Sequence, residues 1–314
     1  MFQAMDYVYE VYQEKSFSKA AEKLFVSQPA LSASIKKTEK KIGLPLFDRS
    51  TNPIQLTPAG KAYIDAAKEI FAIKKRLENY YNDLSHLKNG TLVLGGTNFF
   101  ASCLLPPMIK DFSNKHPGIG LEIHETSSDS LYQKLLTEEI DMIVDSGIYN
   151  EALYESIPLL EDHILLAAPR KNPINLQLQL SAFSQQDILL DAHLQNNAPA
   201  ISLNLFSQEN FLLLGKGNDM NRRALKLCQN SHFTPIVTLY LNQLMTSYNM
   251  ARQGLGVTFV TDSLIKLSPP DDSLLFYKLS DQETTRKIFI AHKKNCYLSH
   301  AMQEFIAIGT KTWA

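Results

Sequence analysis

A run of small and polar residues, Ser27-Gln28-Pro29 followed by Ser32-Ala33 and Lys36-Lys37, carries the most specific chemistry in this 314-residue chain. Gln28, Pro29, Ser32, Ala33 and Lys36 fall on the outer face of a helix whose inner stripe is Leu31, Ile35 and Ile42. A helix with a small, polar outer face near its N-terminus is what the major groove of duplex DNA admits. Gln28 can bond an adenine edge or a phosphate, and Ser32 can contact either. The methyl of Ala33 and the ring of Pro29 can touch thymine methyls. Lys36, Lys37 and the amides of the helix start, with Ser27 as cap, suit phosphates. Arg49 and the Ser50–Asn52 turn can grip the backbone beside the groove. Any three-helix bundle also exposes a polar face, so on the residues alone both readings stand.

The motifs of catalysis fail by comparison. Gly215-Lys216-Gly217 and Gly254-Leu255-Gly256 lack the third glycine of a dinucleotide loop, and there is no phosphate loop and no HExxH. Cys103, Cys228 and Cys296 lie far apart, without metal spacing, so neither a metal site nor a cofactor is expected, and a reducing compartment is. Cys103 reads as a buried small apolar residue. A redox sensor built on Cys103 and Cys228 is the sharper reading, although neither has an obvious activating cation nearby.

The elements that must position this chemistry follow from periodicity. Val8, Val11 and Tyr12 face inward on a first helix. Ser16 or Ser18 opens a second containing Ala20, Ala21 and Leu24, and Ser27 caps the third, which ends at Lys40-Lys41-Gly43. Residues 44–57 suggest a small β-hairpin, and Thr57-Pro58 opens another helix. Along it Tyr63, Ala66, Ile70, Ile73, Leu77, Tyr80, Leu84 and Leu87 alternate by three and four as far as Asn89-Gly90. That heptad seam predicts a self-pairing linker helix over 61–88. Beyond it, strands expected near 91–94, 120–125, 142–144, 164–168, 211–214, 236–241 and 257–260 alternate with helices near 102–114, 129–138, 220–230 and 243–253. This is the pattern of a parallel-sheet α/β body. The Asn-, Gln- and Ser-rich stretch 171–210 reads as an extended surface region with little structure. Strands near 274–279 and 286–292 and a helix near 299–310 are expected to return to the first half.

Composition permits this plan. The hydrophobic set is 45% and charged residues 20%, no run of about 18 apolar residues suggests a membrane span, and Met1 to Glu14 has no signal-peptide core. The first 88 residues carry 14 Lys+Arg against 10 Asp+Glu, and the remainder 17 against 22. A basic front on an acidic body lets a polyanion bind at one end.

The run SFSKAAEKLFVSQPALS, continuing through IKKTEKKIGLPLFDR and LTPAG, resembles the winged helix-turn-helix of the LysR-type transcriptional regulators. The likeness is dense over residues 5–61. It continues more weakly through GTLVLGGTNFFASCLLPPMIKDFSNKHPGI, EIDMIVDSG and MARQGLGVTFVTDSLI, sparing about 171–210. It implies an N-terminal all-α winged helix-turn-helix (1–60), a long linker helix (61–88), and a C-terminal α/β two-lobed domain like the periplasmic binding proteins (89–314). Lobe I would be 89–161 and 267–314, and lobe II 162–266, with crossings near 158–164 and 262–268. It implies a bacterial, cytoplasmic regulator that binds promoter DNA as a homodimer or homotetramer, answers to a small-molecule effector and can contact RNA polymerase. Carried over, the DNA-contacting positions are Ser27, Gln28, Pro29, Ser32, Ala33, Lys36 and Lys37, with Arg49 at the wing. Ala33 stands where many relatives carry arginine, and the wing tip Thr51-Asn52-Pro53 lacks their basic residues. Self-pairing falls to Tyr63, Ile70, Ile73, Leu77 and Leu84. In such a body the ligand lies where strands end and helices begin. This selects Thr97, Asn98, Ser102, Thr126, Ser127, Asn218 and Asp219 as the effector site, each of which could instead be a helix cap. The rival plan is a solute-binding module or enzyme that keeps the helical domain only for assembly.

Overall fold

Hydroxyl caps set the second and third helices in the computed structural model, which describes residues 4–84, 90–147 and 150–313. Ser16 Oγ accepts from Lys19 N and starts α2 (Phe17–Lys23) behind α1 (Met5–Glu14). Ser27 Oγ accepts from Ala30 N at 3.4 Å and starts α3 (Gln28–Ile42), which Gly43 ends at φ +81°. Ala20 and Ala21 are buried, so α2 packs closely on its neighbours. Val8, Val11, Leu31 and Ile35 are wholly buried, each contributing about 1.5–3 kcal/mol. Thr38, a polar residue outside the expected inner stripe, takes a buried position on α3 beside a half-buried Ile42. The hairpin is β1 (Phe47–Asp48) paired antiparallel with β2 (Gln55–Leu56). Glu39 holds it to α3 by accepting from Leu46 N at 2.8 Å.

Thr57 Oγ1 accepts from Gly60 N and opens α4 (Pro58–Leu84), a helix of 27 residues. Gly60 is required there, because any Cβ would strike the Leu46 carbonyl. The chain divides into two compact units between Tyr81 and Asn82. The expected seam on α4 divides as well. Tyr63 is not free for self-pairing: it is only 5% exposed and belongs to the first unit's own core, as does the half-buried Ile70. Ile73, Leu77 and Leu84 stay exposed. Leu87 and the expected helix end at 88–89 lie outside the described residues.

The second unit is built on one switching strand. β3 (Thr91–Gly96) lies parallel to β4 (Gly120–Glu125) and β5 (Met142–Asp145). Antiparallel to β5 runs β13 (Thr285–Lys293), and β13 pairs with residues 154–163 of β6 (Tyr154–Pro169). The far end of β6 leaves that sheet and joins a second, between β11 (Val257–Thr261) and β12 (Leu274–Leu279). There β9 (Asn210–Leu214) lies parallel to both β10 (Ile236–Leu241) and β11. Helices α5 (Leu105–Lys115), α6 (Ser128–Leu136), α8 (Asp219–Asn230), α9 (Leu244–Arg252), α10 (Asp262–Leu267) and α11 (His300–Trp313) cover the sheets. A π-helical turn, Phe100–Leu104, precedes α5. Gly95 lets α6 approach, since a Cβ there would lie 2.8 Å from Leu131.

Three expectations for this unit need correction. The segment 171–210 is not a loosely structured surface. It contains α7 (Gln185–Leu189), β7 (Ala182–Phe183) and β8 (Ala200–Ile201), and it buries Phe183, Ile188, Leu203 and Phe206. Its polar residues work internally: buried Asn175 donates to the Pro169 and Arg170 carbonyls and accepts from Tyr277, and Gln185 donates to the Ile265 and Ser268 carbonyls. β12 belongs to the second lobe, not the first, because it pairs with β6, β7 and β8. The second crossing therefore lies between β12 and β13, near 280–284, while 262–267 is helix α10, against α7 and β6.

Candidate functional site

In the first unit, Ser27, Gln28, Pro29, Ala33, Lys36 and Lys37 are exposed at the start and along the outer face of α3, with Ser32 half-exposed between them. This follows from the helical repeat: with Leu31, Ile35 and Thr38 buried, the intervening positions must face outward. The surface combines two cations, two hydroxyls and one carboxamide at a helix start, the mixture that contacts phosphates and base edges. Arg49 is more constrained. Its guanidinium lies 4.8 Å from the centre of the Phe17 ring and 3.3 Å from Glu39 Oε2, so part of its charge is spent on joining the hairpin to α3.

In the second unit, β3, β4, β5, β9 and β10 all point their C-terminal ends at one cavity of about 460 Å³. Thr97, Asn98, Thr126, Ser127, Asn218 and Asp219 line it, from both lobes. Ser102 does not. One turn into the π-helical segment, its hydroxyl donates to the Asn98 carbonyl at 2.6 Å instead. Capping explains Asn218, whose side chain accepts from Met220 N. It does not explain Ser127, which heads α6 without a side-chain cap. Among the described residues the hydroxyls of Thr97, Thr126 and Ser127 have no protein partner, so they are available to a ligand. Asn98 Nδ2 donates to Glu125 Oε1 at 2.9 Å, and Asp219 pairs with Arg222 and Arg223.

The floor of the cavity holds residues that motif reading did not select. Arg286 of β13 is buried and donates from Nε and Nη2 to Asp162 Oδ2 at 2.8 and 2.6 Å, and from Nη1 to Ser146 Oγ at 3.1 Å. Its Nη1 is also 4.0 Å from Asp219 Oδ2, on the other lobe. Asp145 ends β5 beside it. Burial pushes the Asp145 carboxyl above the usual range, against hydrogen bonds from Ser146 N and the Ser128 hydroxyl. Asp145 and Ser146 were legible by the rule that selected Thr97, since both stand at a strand end. Arg286 has no local signal, because it arrives from a strand at the far end of the chain. The lining contains four acids (Glu125, Asp129, Asp145, Asp219) and two bases (Lys216, Arg286).

Cys103 is half-exposed rather than buried, and Cys228 and Cys296 do not form a reactive site. Burial pushes the Cys228 thiol up to about 12 and that of Cys296 up to about 11. Neither is poised as a thiolate.

An exposed recognition-type helix beside a hairpin, followed by a two-lobed ligand-binding body, defines the class of protein. Residues 85–314 match the family described as "LysR substrate binding domain", and residues 2–61 that described as "Bacterial regulatory helix-turn-helix protein, lysR family". The chain belongs to the LysR family of transcriptional regulators; it is a DNA-binding regulator with an effector-type domain, not an enzyme. It is 28% identical over 308 residues to the "Uncharacterized HTH-type transcriptional regulator YcgK" of Bacillus subtilis, covering 98% of this chain and 93% of that one. It is 27% identical over 298 residues to the "Probable RuBisCO transcriptional regulator" of Trieres chinensis, covering 93% and 90%. Its fold is that of a full-length OxyR variant from Pseudomonas aeruginosa (TM-score 0.72, 23% identity, covering 98% and 94%). The same holds for full-length CbnR solved with its target DNA (TM-score 0.67, 16% identity, covering both chains fully). No helix among the described residues is long and apolar enough to cross a membrane.

Proposed function

We propose that this chain is a one-component bacterial regulator, working in the cytoplasm, that inserts α3 into the major groove of promoter DNA. Ser27, Gln28, Pro29, Ser32, Ala33, Lys36 and Lys37 make the contacts there, and Arg49 reaches the backbone beside them. The chain pairs with a second copy through the exposed stripe Ile73, Leu77 and Leu84 of α4, and pairs of dimers make the tetramer. Two recognition helices related by two-fold symmetry call for an operator that is a loose inverted repeat.

A small molecule entering the cavity between the lobes, held by Thr97, Asn98, Thr126, Ser127 and Asn218, favours one closure of the lobes. It shifts DNA binding only by its different affinity for the two arrangements. The observation that carries this reading is the convergence of strand ends from both lobes on one cavity lined by hydroxyls without protein partners. The excess of acids over bases in the lining favours a polar effector that offers hydroxyl or amine donors over one rich in carboxylates. RNA polymerase is the further partner when the regulator activates.

Binding of the chain's own upstream region, measured against random duplex at moderate salt, tests the proposal. The double substitution Ser32→Glu, Lys36→Glu should abolish the preference while a metabolite that raises the melting temperature of the wild type still does so. Leu77→Asp should shift the protein toward monomer in sedimentation. Wild-type protein without preference for its own upstream region would refute the DNA-binding reading.

A further inference from the structure

Away from the cavity, three side chains from distant parts of the sequence converge in the second unit. His163 lies on β6 where that strand enters the second sheet, His193 in the short turn 192–194, and Asp262 is the first residue of α10. His163 Nδ1 and His193 Nε2 each stand 3.1 Å from the same oxygen, Asp262 Oδ2, and the three atoms lie within 4.8 Å of one another. Among the described residues no other such trio converges. Asp262 Oδ1 accepts from His163 N at 2.8 Å and Ser263 N at 2.9 Å, which fixes the carboxylate and leaves Oδ2 turned to the rings.

We propose that His163, His193 and Asp262 form a binding site for a divalent transition-metal ion of the zinc type. Bonds of about 2.0–2.1 Å in a tetrahedral site place neighbouring ligand atoms roughly 3.3 Å apart, and the two 3.1 Å edges already approach this. Two imidazoles and one carboxylate are the donor set that suits such an ion, with the fourth position left to water. His193 is 1% exposed, and its Nδ1 makes no hydrogen bond in the described protein. In the ion-free protein the Asp262 carboxylate holds the ring proton on Nε2, and Nε2 presents its lone pair once the entering ion sends that proton to Nδ1. His163 is partly exposed and gives the ion and its water a way in. On binding, each neutral ring moves its proton to the other nitrogen, and a protonated ring releases one to solvent. Lys266 Nζ, 3.6 Å from Asp262 Oδ2, is more tightly paired with Asp191 at 2.6 Å and can remain there as the ion enters. Local spacing gave no hint of this site, because the ligands come from three separate segments. The bound ion would tie the switching strand β6 to α10 and to the 171–210 segment.

Metal-free full-length protein is titrated with Zn²⁺ by calorimetry and with Co²⁺ by visible absorption. The expected result is one ion per chain, with the ligand-field bands of four-coordinate Co²⁺. His163→Ala and His193→Gln should each weaken binding about tenfold or more, and Cys103→Ser should leave it unchanged. His163 is the safer variant, because its side chain is partly exposed, and circular dichroism checks that each variant folds. No binding at submillimolar Zn²⁺, or binding that survives His163→Ala in folded protein, overturns the proposal.

Discussion

Replacing Arg286 by methionine should unlock the floor of the cavity. The substitution keeps most of the stem but removes three donors: two to Asp162 Oδ2 at 2.8 and 2.6 Å and one to Ser146 Oγ at 3.1 Å. Asp162 is wholly buried and would keep the amide and hydroxyl of Ser263, at 3.3 and 2.6 Å, while the adjoining Asp262 carboxylate disfavours its charge further. Breaking a buried ion pair from one side costs about 3–5 kcal/mol, since the remaining charge has no counter-ion and little water. Against a typical total of about 5–15 kcal/mol, that is a large share. The single tryptophan, Trp313 in α11, reports unfolding of this unit by fluorescence. With a urea slope of about 1–3 kcal/mol per molar, the midpoint should fall by roughly 1 M or more. Adding Asp162→Asn removes the stranded charge and should recover more than half of the loss. A cost below about 1 kcal/mol for Arg286→Met, or a double variant no more stable than the single, would show that Asp162 does not depend on this pair.

Three further outcomes are expected. Lys36→Ala and Lys37→Ala should each flatten the dependence of operator affinity on salt, by about one unit of log–log slope for every phosphate left without its lysine; an unchanged slope would place these lysines off the backbone. For Asp145, burial raises the folded-state pKa above the unfolded value, so its charged form carries a penalty at neutral pH that disappears as pH falls through the folded-state pKa. Asp145→Asn should therefore raise the melting temperature at pH 7 and narrow the gap between pH 7 and mildly acidic solution, and a fall in melting temperature at pH 7 would contradict this. A thiol reagent at mildly alkaline pH should modify one cysteine per folded chain quickly, the half-exposed Cys103, because Cys228 and Cys296 titrate only near 12 and 11. Fast modification of Cys228 would reopen the redox reading.

The recognition helix was legible in the sequence because everything that defines it is local. Ser27 caps, Leu31 and Ile35 point inward at helical spacing, Gly43 ends the helix, and the outer face follows by subtraction. Six of seven expected cavity residues were legible for a similar reason. A strand's last residue and the next helix's first share a place in any α/β layer, so Thr97 or Asn218 can be located without knowing the rest.

Ser102 failed because a π-helical turn rotated it onto its own backbone, and Tyr63 because its own domain claimed it before a second chain could. Periodicity identifies an apolar face but not which partner covers it. The polar segment 171–210 misled for the converse reason: its Asn and Gln side chains satisfy buried carbonyls, and composition alone cannot separate that use from solvation. Arg286 against Asp162, and His163 and His193 against Asp262, are decided only by the path of β6 through two sheets. The sequence determined most helices and strands outside 171–210 and the polar face that α3 exposes. The tertiary structure decided which distant charges meet, because contacts between remote segments depend on strand order and register, which no local pattern encodes.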